Sequence, residues 1–467
     1  MLSGIYHTIL SVRHLPAAGC RNRRSRSLLD HALEPRHWRT NGSYNFHHER
    51  YPDDLWAFHT NHKAAERVTY DAEEDYLLPP GKNISEFCNE PWDRDSRLVP
   101  RTPLPTTPRF VENGTDLQQR IVFCHLDTKY WRLVEPYLPS LLPTSYCTAV
   151  VVAGYAIRAR DSTIVWKHPG GERYLDTLVS MRANGQLVGR AGPLPIYVTV
   201  GGEREDSLNF SVTFDSVFNR QNFAKNLRNF TSWQGIHFDW NYPGDKCSAG
   251  SSTLGTNFRK MAQALVTRSR SVIVSVPAIL HRTRLYDFED LASQVDYIIV
   301  KTHVVRSYGL VSCSGAQAFI ADRFRDIRAE VNRTYWPKIA YSISVAPETF
   351  TAEVAQLGAP SSGPSRWDNY TLQPGRAHYA ALCRQPVIRT PEHPECLMVE
   401  RRVGLYNVHV ATFSDPVALH NRLRKAYLDG MGMAPLMVYD VDLDDYMGLC
   451  GFGMSPLIRA LATAAYP

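Results

Sequence analysis

From Arg120 onward, short apolar runs rich in β-branched residues alternate with longer stretches of mixed polarity. The runs are Arg120–Leu126, Cys147–Ile157, Pro195–Gly201, Gly235–Trp240, Val272–Pro277, Val295–His303, Lys338–Val345 and Pro435–Val441. Short buried strands separated by helix-length segments predict a parallel sheet with crossover helices. Eight such strands close an α/β barrel of the (β/α)8 TIM type. One helix has legible ends. Ser414 and Asp415 are suited to cap it, Pro416 fits its first turn and Gly430 fits its end. Leu419, Leu423, Ala426 and Tyr427 recur at helical spacing and predict a core-facing stripe.

Residues 1–117 break this pattern. They hold few apolar runs, an acidic cluster Glu73-Glu74-Asp75 and the stretch Pro100-Arg-Thr-Pro-Leu-Pro-Thr-Thr-Pro108. That composition predicts an irregular N-terminal region and linker. The barrel is expected over 118–467. The chain of 467 residues, 44% hydrophobic, exceeds the roughly 250 that one barrel needs.

Charge narrows the partners. With 52 basic and 46 acidic side chains, the surplus is too small to point to nucleic acid. No run of 18 apolar residues exists, so no membrane span is expected. Asn-x-Ser/Thr triplets stand at Asn41, Asn83, Asn113, Asn209, Asn229, Asn332 and Asn369. Average usage supplies roughly two or three by chance, so the excess points to a glycoprotein. Nine cysteines agree with a disulfide-forming, extracellular setting. Met1–Ala18 is a poor leader, broken by His7, Arg13 and His14. A secreted protein is still the expectation.

The stretch Trp233-Gln-Gly-Ile-His-Phe-Asp-Trp-Asn-Tyr-Pro243 carries the chemistry. It resembles the fourth-strand motif of family 18 glycoside hydrolases, the chitinases and chitinase-like proteins. That family writes Asp-Gly-x-Asp-x-Asp-Trp-Glu, followed by Tyr-Pro. Gln234, His237 and Asp239 stand at the three Asp positions here, and Asn241 stands at the Glu position. Other segments resemble the family in order and spacing. They are Thr199-Val-Gly-Gly202, Asn219-Arg-Gln-Asn-Phe223, Met437-Val-Tyr-Asp-Val-Asp-Leu-Asp-Asp445 and the loop Gly358–Pro364. The resemblance implies a (β/α)8 barrel with a small α+β insertion after strand seven, at 347–412. It also implies bridges Cys124–Cys147 and Cys383–Cys450. Cys247 and Cys313 follow strands four and six, and a third bridge between them is the further suggestion.

The departures cluster where barrel sites lie, at the C-terminal strand ends. Glycoside cleavage needs a carboxylic acid to protonate the leaving oxygen. The family's Glu does this, and Asn241 has no proton to give. Strand six resembles the family poorly: Lys301-Thr-His-Val304 replaces Met-x-Tyr-Asp, losing contacts to the reacting acetamido group. Tyr439 replaces the floor Trp, His125 an aromatic of strand one, and Glu203 a Trp after strand three. The resemblance therefore implies a chitinase-like pseudoenzyme, not an active hydrolase, with no cofactor. The alternative is a glycosidase with weak or altered action on N-acetylglucosamine-containing glycans.

Asp239, Trp240, Tyr439, His125 and His303 are the candidate ligand-binding residues; a groove of this kind suits a chitin-type oligosaccharide or glycoprotein. A protein partner is the other reading. For Asp239 alone, a hydrogen-bonded barrel residue is the plainer role. His125, His237 and His303 with Asp239 could make a metal site. Three unrelated polar fillers fit better, since no pair has helical spacing, and no metal is expected. A glycan on Asn209, placed on the cleft side after strand three, would crowd the groove; otherwise the triplet is unused.

Overall fold

The apolar runs become strands because β-branched residues suit a pleated chain buried on both faces. The computed structural model describes residues 120–464, apart from 129–136, 168–170, 190–191, 204–205, 228–231, 242–269, 279–287, 305–308, 314–323, 369–370, 372–373, 404–406, 427–430 and 432–433. Residues 1–117, with the expected linker, lie outside them, as do Cys20, Cys88 and Cys247.

Eight parallel strands form the barrel: β1 Val122–Asp127, β2 Ala149–Arg158, β3 Ile196–Gly201, β4 Gly235–Asp239, β5 Ser271–Pro277, β6 Tyr297–Lys301, β7 Ile339–Ser344 and β8 Leu436–Tyr439. Each pairs with the next in chain order, and β8 pairs back with β1 through Phe123 opposite Met437. The closed ring is the expected (β/α)8 fold. Around it lie α1 Gly171–Ala183, α2 Ser207–Asp215, α3 Val217–Leu227, α4 Phe288–Gln294, α5 Pro416–Ala426 and α6 Pro456–Thr463. Asp415 caps α5 as its position suggests: Oδ1 accepts from the Val417 and Ala418 amides. Leu419, Leu423 and Ala426 are buried on one stripe of that helix.

Inward and outward positions alternate along each strand, with two different results. Outward residues such as Val150, Val152, Ile236 and Phe238 join the main core under the helices. Inward residues start apolar, with Phe123, Tyr197, Ile273, Ile299, Ala340 and Met437 plugging the lower barrel. Two residues later the same face turns polar, with His125, Thr199, Ser275, Lys301 and Ser342, all buried. The polar layer is at the C-terminal ends, where such barrels carry their sites.

A second, five-stranded antiparallel sheet lies between β7 and α5. Its order is Ser361–Pro364, Glu348–Ala352, Asn407–Ser414, His393–Val403 and Ile388–Thr390. Phe350, Met398, Val408 and Val410 fill one of its faces together with Val311.

Disulfides join Cys124 to Cys147, Cys383 to Cys450 and Cys313 to Cys396. The third corrects the suggested Cys247–Cys313 pair. Residues 309–313, which follow β6 in sequence, run along the second sheet. Val311 N–H donates to Ala359 O, and Thr412 Oγ1 donates to Ser312 O. That path carries Cys313 to Cys396, with Cα atoms 5.7 Å apart.

Candidate functional site

The last turn of β3 prepares the site. Gly201 has φ +96°, and a Cβ there would collide with the Asp239 carbonyl. Glycine lets the β3 end close onto β4, where Gly202 N–H donates to Asp239 O at 2.8 Å. Lys167 pins the turn from behind: its Nζ donates to Gly201 O at 2.8 Å and pairs with Asp206 at 2.5 Å.

On β4, alternation sends His237, Asp239 and then Asn241 into the lumen. Lys301 reaches them from β6. Its ammonium donates to Asp239 Oδ1 at 2.6 Å and to Asn241 Oδ1. Asn241 Nδ2 donates onward to Gly202 O at 2.8 Å, so both ends of this amide are engaged. Lys301, Asp239 and Asn241 are 3%, 5% and 8% exposed, which leaves their mutual contacts to replace water. Burial works to raise the Asp239 pKa, but the Lys301 charge and hydrogen bond, helped by His237, hold it below the ordinary carboxylate range. The surviving carboxylate is thus an ion paired to a lysine, with no proton to donate at neutral pH.

Beside this pair runs a chain of neutral groups. His237 Nδ1 meets Thr199 Oγ1 at 2.9 Å and Nε2 meets Ser275 Oγ at 2.7 Å. Ser275 Oγ in turn meets Tyr439 OH at 3.1 Å. Burial drives His237 down to about 3, against the opposing pull of Asp239, so the ring stays neutral. The Tyr439 ring lies between His125 and His303, with centroids 4.3 and 4.2 Å away. His303 Nδ1 meets Ser342 Oγ at 2.7 Å. Burial lowers the His125 pKa and raises that of Tyr439. At the rim, Asp440 sits in the left-handed region at φ +61° and accepts from Ser344 Oγ and Arg376 Nη1. Arg376 thereby ties the second sheet to the barrel mouth.

His125, His237, Asp239, Asn241, His303 and Tyr439 therefore meet at one end of the barrel. Gln234 does not: it sits where β4 begins, and its Oε1 accepts from Ile196 N at 2.9 Å. Trp240 is a correction. It is 1% exposed and stacks on Phe210 at 5.4 Å, beneath α2. It directly follows β4, and continuing that strand's alternation turns it outward, away from the groove it was expected to help form. Asn209 is also corrected. It is fully buried on α2, and Nδ2 donates to Ile157 O at 2.9 Å, so it does not face the groove. The Val304 side chain lies outside the described residues. Among the described residues, no three His, Cys, Asp or Glu side chains are grouped to hold a metal ion, and no helix is long and apolar enough to cross a membrane.

Lys301, Ser275, Thr199 and Arg376 escaped the sequence reading. For Lys301 a signal existed: it follows Tyr297 and Ile299 at even spacing on a period-two strand, so it takes their lumen-facing side. Arg376 carried no comparable signal, because its partner is 64 residues away.

The chain is 24% identical over 393 residues to "Probable chitinase 10" of Drosophila melanogaster, covering 76% of this chain and 16% of the fly protein. It is 24% identical over 301 residues to mouse (Mus musculus) Chitotriosidase-1, covering 57% of this chain and 62% of that protein. The chain thus spans less than two thirds of either relative. Among solved structures, the Group IV chitinase of Ostrinia furnacalis superposes with a TM-score of 0.63 at 19% identity, over 75% of this chain and all of that one. Human YKL-39, described as a pseudo-chitinase with retained chitooligosaccharide binding, superposes with a TM-score of 0.58 at 17% identity, over 74% of this chain and 99% of that one. At these identities the superpositions speak to the fold. The model of glycosyl hydrolases family 18 matches residues 123–444, the barrel from β1 through β8, and on that match the chain belongs to this family.

Proposed function

We propose that this chain is an exported, chitinase-like member of its family that does not hydrolyse glycans and acts by binding a glycan or protein partner. One observation carries the reading: the Lys301 ammonium is seated between Asp239 and Asn241, where family chemistry needs a carboxylic acid. A general acid is worth roughly 10²–10⁴-fold in rate. Asn241 supplies none, and an ion-paired Asp239 is a poor substitute. A carboxylate that is locked to lysine also cannot turn to orient an acetamido group. The binding half of the reading draws support from YKL-39, a fold relative described as keeping chitooligosaccharide binding as a pseudo-chitinase. The three disulfides among the described residues support export, since such bonds persist in oxidising compartments.

The test is incubation with a fluorogenic chitotriose substrate. Release at the buffer rate is expected. Turnover well above buffer that disappears in Asp239→Ala would mean that the chain is an enzyme. Retention on chitin beads, competed by N-acetylglucosamine oligomers, separates a glycan ligand from a protein partner.

A further inference from the structure

Two of the seven Asn-x-Ser/Thr triplets fall among the described residues, and the fold treats them oppositely. Asn332 is exposed. Its backbone N–H is held by Glu289 Oε2 at 2.9 Å, from α4. Its side-chain Oδ1 accepts from both Thr334 N at 3.1 Å and Thr334 Oγ1 at 3.0 Å. The triplet is thus an Asx turn that caps the 3-10 helix Arg333–Lys338. The oxygen is bound inward by the threonine of its own triplet, and among the described residues Nδ2 has no hydrogen-bond partner. Asn209 has the reverse arrangement: no exposure, with Nδ2 spent on Ile157 O.

We infer that Asn332 carries an N-linked glycan and that Asn209 does not. The donor is a lipid-diphosphate-linked oligosaccharide. Asn332 Nδ2 bonds to its anomeric carbon, the carbon–oxygen bond to the diphosphate breaks, and the lipid diphosphate leaves with that electron pair. The amide loses one proton to the transferase's base. Asn332 is exposed, so a sugar on its Nδ2 replaces no buried hydrogen bond among the described residues. A sugar on Asn209 Nδ2 would replace a buried hydrogen bond with a chain that has no path to solvent, and α2 would have to leave the barrel.

Position gives the modification a consequence. The Arg333–Lys338 turn runs directly into Ile339, the first residue of β7. Asn332 is therefore at the N-terminal face of the barrel, which in this fold serves stability, opposite the strand ends that hold Lys301 and His303. The glycan covers the base of the barrel and leaves the mouth open to a partner. This inference rests on the proposed export, and its test separates the two.

The protein is expressed through an animal secretory pathway, and soluble folded material is collected. It is treated with peptide N-glycosidase in heavy-oxygen water and mapped by peptide mass spectrometry. Heavy-oxygen deamidation is expected at Asn332 and not at Asn209, and Asn332→Gln should lose one glycan's mass while staying soluble. Label on Asn209 in soluble protein would overturn the inference. So would an unlabelled Asn332 beside other labelled triplets. Protein kept inside the cell with no triplet labelled would overturn it through the export reading, leaving the chitotriose result untouched.

Discussion

Replacing Lys301 with Met removes the charge from the barrel mouth and keeps most of the side chain's length. Lys301 Nζ lies 2.6 Å from Asp239 Oδ1, with both side chains nearly shut off from solvent. At an effective dielectric of about 20 that separation is worth ~6 kcal/mol of attraction, much of which offsets desolvation. The variant loses more than the net value of the pair, because Asp239 is left in the lumen without a counter-charge; breaking a buried pair this way costs about 3–5 kcal/mol. The sign with pH follows from the carboxyl. In the native protein the Asp239 pKa is depressed. Its contribution is complete above the ordinary carboxylate pKa and is lost only as pH falls through the depressed value. Without Lys301, burial dominates and the pKa rises. The folded variant then binds a proton that the unfolded chain releases, and its penalty grows with pH until the new folded pKa is passed. Urea unfolding followed by tryptophan fluorescence at pH 5 and pH 8 reads this directly. Lys301→Met should lose about 3–5 kcal/mol at pH 8 and less at pH 5, and Lys301→Met with Asp239→Asn should recover most of the loss. A loss under about 1 kcal/mol at pH 8, the range of an exposed pair, would refute the reasoning; so would a loss that does not shrink on acidification.

Asn241→Glu alone should leave the protein without chitotriosidase activity, because the new carboxylate would meet the Lys301 ammonium and stay ionised; measurable release of fluorophore by that single variant would show the Lys301 lock to be weaker than its geometry implies. Peptide mapping without reductant should find Cys313 joined to Cys396, and replacing both by Ser should cost about 2–4 kcal/mol in denaturant unfolding; a Cys313–Cys247 peptide would reverse the assignment. Burial raises Asp444 to about 7, although its carboxylate accepts from the Leu457 and Ile458 amides at the start of α6. A raised carboxyl makes stability fall as pH climbs from its unfolded value to its folded one, here on the order of 4 kcal/mol between pH 4 and pH 8. Asp444→Asn should flatten that part of the curve, and an unchanged slope by urea midpoints would count against the assignment.

All eight barrel strands were legible because each is a run of β-branched and apolar residues, a signal held within about ten consecutive positions. Asn241 could be set against the family motif for the same local reason: the resembling stretch, Trp233–Pro243, is continuous in sequence. Trp240 was misread because a motif does not say which face of the strand a residue takes. Counting by twos from His237 turns it outward onto Phe210. Asn209 was misplaced because it turns into the interface between α2 and β2, where its Nδ2 reaches Ile157 O. Cys313 was misassigned because its path is set by a sheet built from 348–414, far along the chain.

Local pattern determined the barrel strands and the helix cap at Asp415, since each depends on neighbours in sequence. Tertiary structure decided what surrounds Asp239 and Asn241. Lys301 and Asp239 are 62 residues apart, and only closure of the ring between β4 and β6 brings their charges together. Burial then makes the pairing obligatory, because neither charge can be left alone in the lumen.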